Sequence, residues 1–498
     1  MITMTAGEIA ALVGGELHHI DPDTPIEGPV EFDSRNVTRG SIFAALPGAR
    51  VDGHDFAAGA VADGAALVLA ARDIGVPAVV IKPLGKQDSN AEAFAHDPDG
   101  AGAAVLAAMG KLARATVDTL AERTGLQVVG VTGSAGKTST KDLIASVLQG
   151  DGPTVAPPGS FNNELGHPYT ALRVGQDTKY LVAEMSARGI GHIAHLAEIA
   201  PPKIGVVLNV GSAHLGEFGS RENIAQAKGE LVEALPADGT AILNADDDLV
   251  SAMDKRTAAP VLKYSTAAHA AANPQVQIYA TDIQLDEVAR ASFTLNLPGA
   301  TPQSVRLQIF GLHQVSNALA AAAVGHAVGL SAQHIAQALS AHTAASANRM
   351  DVRTRADGVT IINDSYNANP ESMRAGIAAL AYTVSARPDA NSWAVLGQMG
   401  ELGDDAIGEH EALAEVLDSR HISHLVVVGD GPARSALAKA AQKRGINTVS
   451  VADTDAAISV VSRGARPGDV VLVKASYADR LWRVAEGLLA GSELKENK

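Results

Sequence analysis

Gln127-Val-Val-Gly-Val-Thr-Gly-Ser-Ala-Gly-Lys-Thr138 begins as an apolar, β-branched run and breaks at glycines. It resumes with Leu143, Ile144, Val147 and Leu148 at helical spacing. A strand that turns through glycines into a helix leaves the first helical N–H groups facing the turn, which suits an anion. Thr132, Gly133, Ser134, Ala135, Gly136, Lys137, Thr138 and Ser139 supply the parts of such a site. Gly133 and Gly136 let the backbone close around phosphate oxygens, Lys137 brings a point charge to them, and the Thr138 hydroxyl suits Mg²⁺. The pattern G-x-x-x-x-G-K-[ST] is met except at its first glycine, where Val131 stands. An ordinary strand–turn–helix has no need of Lys-Thr at its helix start. The segment reads as a nucleotide-phosphate site.

Working outward, the alternation continues. Tyr180-Leu-Val-Ala183 and Ile204-Gly-Val-Val-Leu208 are strand-type runs between helical stretches. Residues 101–344 are therefore expected to form a largely parallel, doubly wound ATPase-type sheet. Val359-Thr-Ile-Ile362, Trp393-Ala-Val-Leu396, Leu425-Val-Val-Val428 and Val470-Val-Leu-Val473 predict a second, Rossmann-like parallel sheet over 345–498. Ser41-Ile-Phe-Ala-Ala-Leu46 and Ala65-Ala-Leu-Val-Leu69, separated by Gly, Pro and Asp, predict a small α/β module. With the Gly-, Asp- and Pro-rich stretch 82–102, read as an exposed linker, that module accounts for about 1–100. The fold class is α/β, in three domains.

Composition agrees and excludes alternatives. At 498 residues the chain exceeds one ordinary core. With 3% aromatics, the cores must be built from Ala, Val, Leu and Ile, as in parallel strands under small-residue helices. A formal net charge of −16 argues against general nucleic-acid binding. The absence of cysteine removes disulfides, thiolate metal sites and Cys nucleophiles. Met1 to Val13 lacks a basic region before an apolar stretch, and Ala318 to Leu330 falls short of the roughly 20 residues of a membrane span. A cytoplasmic enzyme is expected.

Other residues gather around the phosphate loop. Glu184 ends the run Tyr180–Ala183, where a carboxylate can meet a metal-bound triphosphate. His214 follows Ile204–Leu208. A single loop histidine is more often structural, but side chains at the carboxyl ends of strands in one parallel sheet converge on one crevice. Lys228, in Ile224-Ala-Gln-Ala-Lys-Gly-Glu-Leu-Val232, reads from spacing alone as a surface lysine, and Asn244-Ala-Asp-Asp-Asp248 as a turn.

Together these segments resemble the Mur ligase family over essentially the whole chain. The glycine placement of Thr132–Thr138 is the form those ligases use, and Asn162-Asn-Glu-Leu-Gly-His-Pro168, Glu184, His214 and Lys228 fall in family order. Gly311-Leu-His-Gln-Val-Ser-Asn-Ala318 is similar to the adenine-side segment, with His313 and Asn317 matching and Gln314 where Asn is common. Asp33-Ser-Arg35 and Phe43 to Phe56 resemble the UDP-substrate module, which assigns Ser34 and Arg35 to substrate. Asp364-Ser-Tyr-Asn-Ala-Asn-Pro-Glu-Ser-Met373 and Leu396-Gly-Gln-Met-Gly-Glu-Leu-Gly403 resemble the members that add D-alanyl-D-alanine. Two departures stand out: Asn348 precedes Arg349 where Gly is usual, and Tyr477 stands where Arg is more common.

The resemblance implies an ATP-dependent, ADP-forming ligase that joins D-alanyl-D-alanine to UDP-N-acetylmuramoyl-tripeptide through an acyl phosphate, in peptidoglycan precursor synthesis. It implies Lys137, Lys228, His214 and Glu184 as catalytic. Thr132 to Ser139, Asn317, Arg349 and Asp364 would bind ATP. Mg²⁺ would lie on Thr138, Glu184, His214 and Lys228, the last as a CO₂-derived carbamate. Asn162, Asn163, Tyr366, Asn367, Asn369 and Ser476 would contact substrate, and the enzyme would act as a monomer. The alternatives are a diamino-acid-adding or folylpolyglutamate synthetase-like ligase, or a nucleotide-binding homologue without activity.

Overall fold

The computed structural model describes residues 1–493 apart from 49–50, 88–93, 95, 158, 212–214, 345, 347 and 401. Its centre is a nine-stranded sheet. The strands run in the order Gln303–Phe310, Arg290–Asn296, Ile278–Leu285, Val261–Ser265, Thr240–Asn244, Ile204–Val207, Gln127–Thr132, Tyr180–Glu184 and Thr154–Val155. From Ile278–Leu285 onward every neighbouring pair is parallel. Gln127–Thr132 is buried along nearly its whole length, as a strand covered on both faces must be. The first two strands in the order pair antiparallel and were not legible as apolar runs. They bury one face only: Arg290-Ala-Ser-Phe-Thr-Leu-Asn296 alternates in burial residue by residue. That period of two is the signal a search for continuous apolar strands passes over.

Ala318 to Val324 is completely buried, in the helix His313–Ala327 that packs against Lys137–Gln149. The longest apolar stretch is thus a core helix. Among the described residues no helix is long and apolar enough to cross a membrane.

Ahead of the central sheet lies a five-stranded sheet, ordered Glu16–His18, Ala78–Val80, Leu67–Ala70, Ile42–Ala44 and Val30–Glu31. The two sheets are joined by the helix Ala101–Thr124, started by the buried carboxylate of Asp97, which accepts the Gly102 and Ala103 N–H groups at 2.8 and 2.7 Å. The described ends of the 82–102 stretch are tied together by Leu84 N–H to Gly100 O and Gly85 N–H to Asp99 O, so it is a pinned loop at its ends. Ala104, Val105, Met109 and Leu112 of the helix share one apolar cluster with Ile9, Leu67 and Val79 before it and Val128, Leu172 and Leu181 after it. Beside this core, buried Glu31 accepts hydrogen bonds from Tyr169 Oη at 3.0 Å and Arg173 Nη2 at 2.8 Å.

The third sheet has six strands, Asp351–Thr354, Thr360–Asn363, Val470–Lys474, Ser392–Leu396, His424–Val428 and Asn447–Val451. All its pairs are parallel except the first. It reaches the central sheet at the start of the helix Pro370–Ser385, whose N-cap Asn369 donates from Nδ2 to the Ser134 carbonyl at 3.3 Å. Strand ends of both sheets therefore face one opening.

Candidate active site

The opening is a cleft of about 1190 Å³. Its floor is the turn between Gln127–Thr132 and the helix Lys137–Gln149. Gly136 has φ +83°, and a Cβ there would lie 2.7 Å from Asn317 Oδ1. The turn is held from the next strand by Asn209, which accepts the Ser134 N–H on its carbonyl and the Ala135 N–H on its side chain. Lys137 Nζ donates to the Gly133 carbonyl at 2.7 Å, lying back over the loop. Ser134 to Ser139 line the cleft, whereas Thr132 is wholly buried beneath it.

Glu184 is 1% exposed, yet its described hydrogen-bond donors are all neutral. Thr138 Oγ1 donates to Oε2 at 2.9 Å, and Ser160 Oγ and Asn162 Nδ2 donate to Oε1 at 3.0 and 2.7 Å. A buried carboxylate beside a hydroxyl, facing a cleft, is a hard-oxygen donor set that fits Mg²⁺. His214 lies outside the described residues.

Lys228 overturns the surface-lysine reading taken from spacing alone. It is 4% exposed, and its ammonium makes no hydrogen bond or ion pair among the described residues. The reason is the packing of its helix, Arg221–Glu233, on the sheet. Leu231 sits so close over Gly130 that a Cβ there would lie 2.8 Å from Leu231 Cδ1. Burial, and next the nearby charge of Lys137, hold the Lys228 pKa well below the ordinary lysine value.

Asn317 and Gln314 are buried and joined by an Nδ2 to Oε1 hydrogen bond at 2.8 Å. Gln314, which departs from the expected Asn, therefore orients Asn317. His313 beside them has its pKa lowered by burial, opposed by Asp364 and aided by Lys474.

From the third domain, Arg349 stacks over the Tyr366 ring with Cζ 4.1 Å from the centroid, and its buried Nε has no hydrogen-bond partner among the described residues. Asn348 has φ +59°, the left-handed region in which Gly is easiest and Asn the next best tolerated. Its Oδ1 accepts from Asn363 Nδ2 at 2.9 Å, so the departure keeps the backbone shape and adds a tie. Tyr477 stacks on Trp482 at 4.7 Å and packs at a tilt against Tyr366 at 5.4 Å, and so forms an aromatic wall where arginine was expected. Asp364 is already engaged: Lys474 Nζ donates to its Oδ2 at 2.6 Å and the Met350 N–H to its Oδ1 at 3.2 Å. Asn162, Asn163, Tyr366, Asn367, Asn369 and Ser476 all line the cleft. Ser34 and Arg35 do not; they sit on a short turn of the first domain, with Arg35 paired to Asp33 at 2.5 Å.

Several lining residues were missed from sequence. Glu164, inside the quoted Asn162–Pro168, pairs with His192 at 3.2 Å. The hydrogen bond that His192 donates to Glu164 raises the His192 pKa. Burial is the largest single influence on Glu164 and pulls its pKa upward, but the bond to His192, a backbone bond and the charges of His192 and His195 together outweigh it and the net shift is down. Asp247, from the run read as a turn, accepts the Val210 N–H at 2.8 Å and caps the next helix. Arg374 and Glu409 face each other on the third-domain wall, 3.5 Å apart. The place of Asp247, just beyond the end of a strand, is a signal that could have flagged it. For Arg374 and Glu409, nothing in the spacing connects two positions on separate helices.

Comparison with known proteins matches this arrangement piece by piece. "Mur ligase family, catalytic domain" fits residues 29–116, "Mur ligase middle domain" 131–325 and "Mur ligase, glutamate ligase domain" 348–477. The UDP-N-acetylmuramoyl-tripeptide–D-alanyl-D-alanine ligase of Mycobacterium tuberculosis is 52% identical, covering 98% of each chain. A crystal structure of MurF from Acinetobacter baumannii superposes with a TM-score of 0.81 at 28% identity, over 98% of this chain and 99% of that one. MurF from Thermotoga maritima in complex with ADP gives 0.76 at 28% identity, over 94% and 99%. Three domain descriptions in order, and a relative sharing half its residues from end to end, leave one conclusion: the chain belongs to the Mur ligase family.

Proposed function

We propose that this enzyme forms the amide bond between UDP-N-acetylmuramoyl-tripeptide and D-alanyl-D-alanine, converting ATP to ADP and phosphate. The observation that carries the reading is the 52% identity, over 98% of both chains, with a ligase named for that reaction. The cleft suits it. A carboxylate resists an amine because it is anionic and lacks a leaving group. Transfer of the γ-phosphoryl group to the tripeptide's terminal carboxylate gives an acyl phosphate, from which the amine displaces phosphate. Two anions must approach, so the protein's task is positive charge and exclusion of water.

In this reading the 133–138 turn and Lys137 seat the triphosphate, Asn317 and the Tyr366–Tyr477 wall hold the nucleoside side, and Arg349 faces the phosphates. Thr138 and Glu184 would hold Mg²⁺, with His214 and Lys228 toward a second ion. Bound there, the metal supplies neutralising charge to the phosphate oxygens. For Lys228 to serve, its neutral amine adds to CO₂, forming an N–C bond and giving a proton to water, so that a carbamate anion replaces an ammonium. The buried site without an anionic partner among the described residues supports this step, and the lowered pKa supplies the neutral amine. Ser34 and Arg35 would meet the UDP end. The stretches 1–100, 101–344 and 345–498 then act as the UDP, ATP and amine domains of a cytoplasmic monomer.

Phosphate release measured with components omitted one at a time tests the assignment. Turnover should require ATP, Mg²⁺, the UDP-linked tripeptide and D-alanyl-D-alanine together. Faster turnover with L-glutamate or diaminopimelate than with the dipeptide would move the chain to another branch of the family.

A further inference from the structure

The third-domain wall of the cleft carries an ion pair that the phosphate chemistry leaves unused. Arg374 lies on the helix Pro370–Ser385 and Glu409 in the first turn of Ala406–Ser419. Their side chains are 46% and 26% exposed, Nη2 and Oε2 are 3.5 Å apart, and Glu409 Oε2 is buried without a hydrogen bond among the described residues. Glu409 is well fixed, because the adjacent His410 accepts the Met399 N–H at 2.9 Å and bonds the Ala406 carbonyl at 2.7 Å. The Arg374 guanidinium has Glu409 on one side and makes no hydrogen bond among the described residues.

The other cations of the cleft are placed differently. Lys474 is held by Asp364, Arg349 stacks on Tyr366, and Arg221 donates to the Val210 carbonyl at 2.8 Å. Lys137 and Arg188 line the cleft from the central domain. On the third-domain wall, Arg374 lines the cleft with Glu409 as its ion-pair partner.

Position adds a length. Asn369, at the start of the Arg374 helix, touches the phosphate loop at Ser134. Arg374 is five residues further, a rise of about 7.5 Å. A dipeptide spans at most about 7 Å from end to end and a single amino acid about half of that. With its amine beside the phosphate loop, a dipeptide spans about that rise and a single amino acid about half of it.

We infer that Arg374, oriented by Glu409, anchors the terminal carboxylate of the incoming dipeptide and so sets the length of the amine the enzyme accepts. The inference rests on the ligase reading above. It is tested by steady-state kinetics with D-alanyl-D-alanine and with its C-terminal amide, which lacks the anion. Wild type should use the amide about 10- to 100-fold less well in kcat/KM, the loss expected for a charge-assisted hydrogen bond. Arg374→Met should lose a similar factor with the dipeptide, mostly in its KM, and should no longer separate acid from amide. KM values for ATP and tripeptide should stay within about twofold, and Arg374→Lys should recover part of the loss. Equal use of acid and amide by the wild type overturns the anchor, whatever the variants do. Undiminished discrimination in Arg374→Met overturns it as well. If the wild type fails on the dipeptide itself, the ligase reading falls, and the inference with it.

Discussion

Lys137→Ala should reduce ATP-dependent phosphate release by about 10³-fold or more while leaving the circular dichroism spectrum unchanged. The fold loses little, because the ammonium makes a 2.7 Å bond to the Gly133 carbonyl at the rim of the cleft, worth about 1 kcal/mol. The reaction loses much more, since a cation placed on a transferring phosphoryl group typically contributes about 10³-fold or greater. A second effect adds to the first. After burial, the Lys137 charge is the second influence holding the Lys228 pKa down, so its removal raises that pKa and shifts the balance toward the ammonium and away from the carbamate. The double variant with Lys228→Ala should therefore be less damaged than the product of the two single losses. Turnover near wild type in a folded Lys137→Ala protein would remove this lysine from the mechanism.

Lys228→Ala should be nearly inactive, and short carboxylic acids added to it should restore part of the rate by occupying the vacated anion position. In the wild type, stripping CO₂ and bicarbonate should lower activity, and returning them should restore it. The sign follows from the environment. An ammonium buried with no anionic partner among the described residues is unfavourable and would repel a metal, whereas a carbamate at that place attracts one. Intact-protein mass measured without acid quenching reads the added CO₂ directly. Normal turnover of Lys228→Ala, with no mass change in the wild type, would make the residue a structural one.

The difference between Lys228 and the phosphate loop shows what a sequence can carry. The loop is a local device: strand, glycines, Lys and Thr lie within twelve consecutive residues, and the physics that joins them is contained in that span. Glu184 was legible because it ends a recognisable apolar strand. Lys228 was not, because its burial depends on Gly130, in a strand far back along the chain, letting Leu231 approach the sheet. Arg374 and Glu409 are likewise brought together only by two helices of the third domain packing side by side. Three central parallel strands, Gln127–Thr132, Tyr180–Glu184 and Ile204–Val207, could be read as apolar runs, while the antiparallel edge, buried on one face, could not.

The helix Ala101–Thr124 has a thermodynamic consequence. Its side chains belong to the same apolar cluster as the first sheet and as Val128 of the phosphate-loop strand and Leu181 of the strand beside it, whereas the third sheet encloses clusters largely its own. The three larger sheets thus amount to two cooperative units. The first domain cannot melt without uncovering one face of the strands that carry the phosphate loop, while the third domain can loosen on its own. Heat or denaturant would accordingly unfold the first two domains together and leave the third to follow a separate curve.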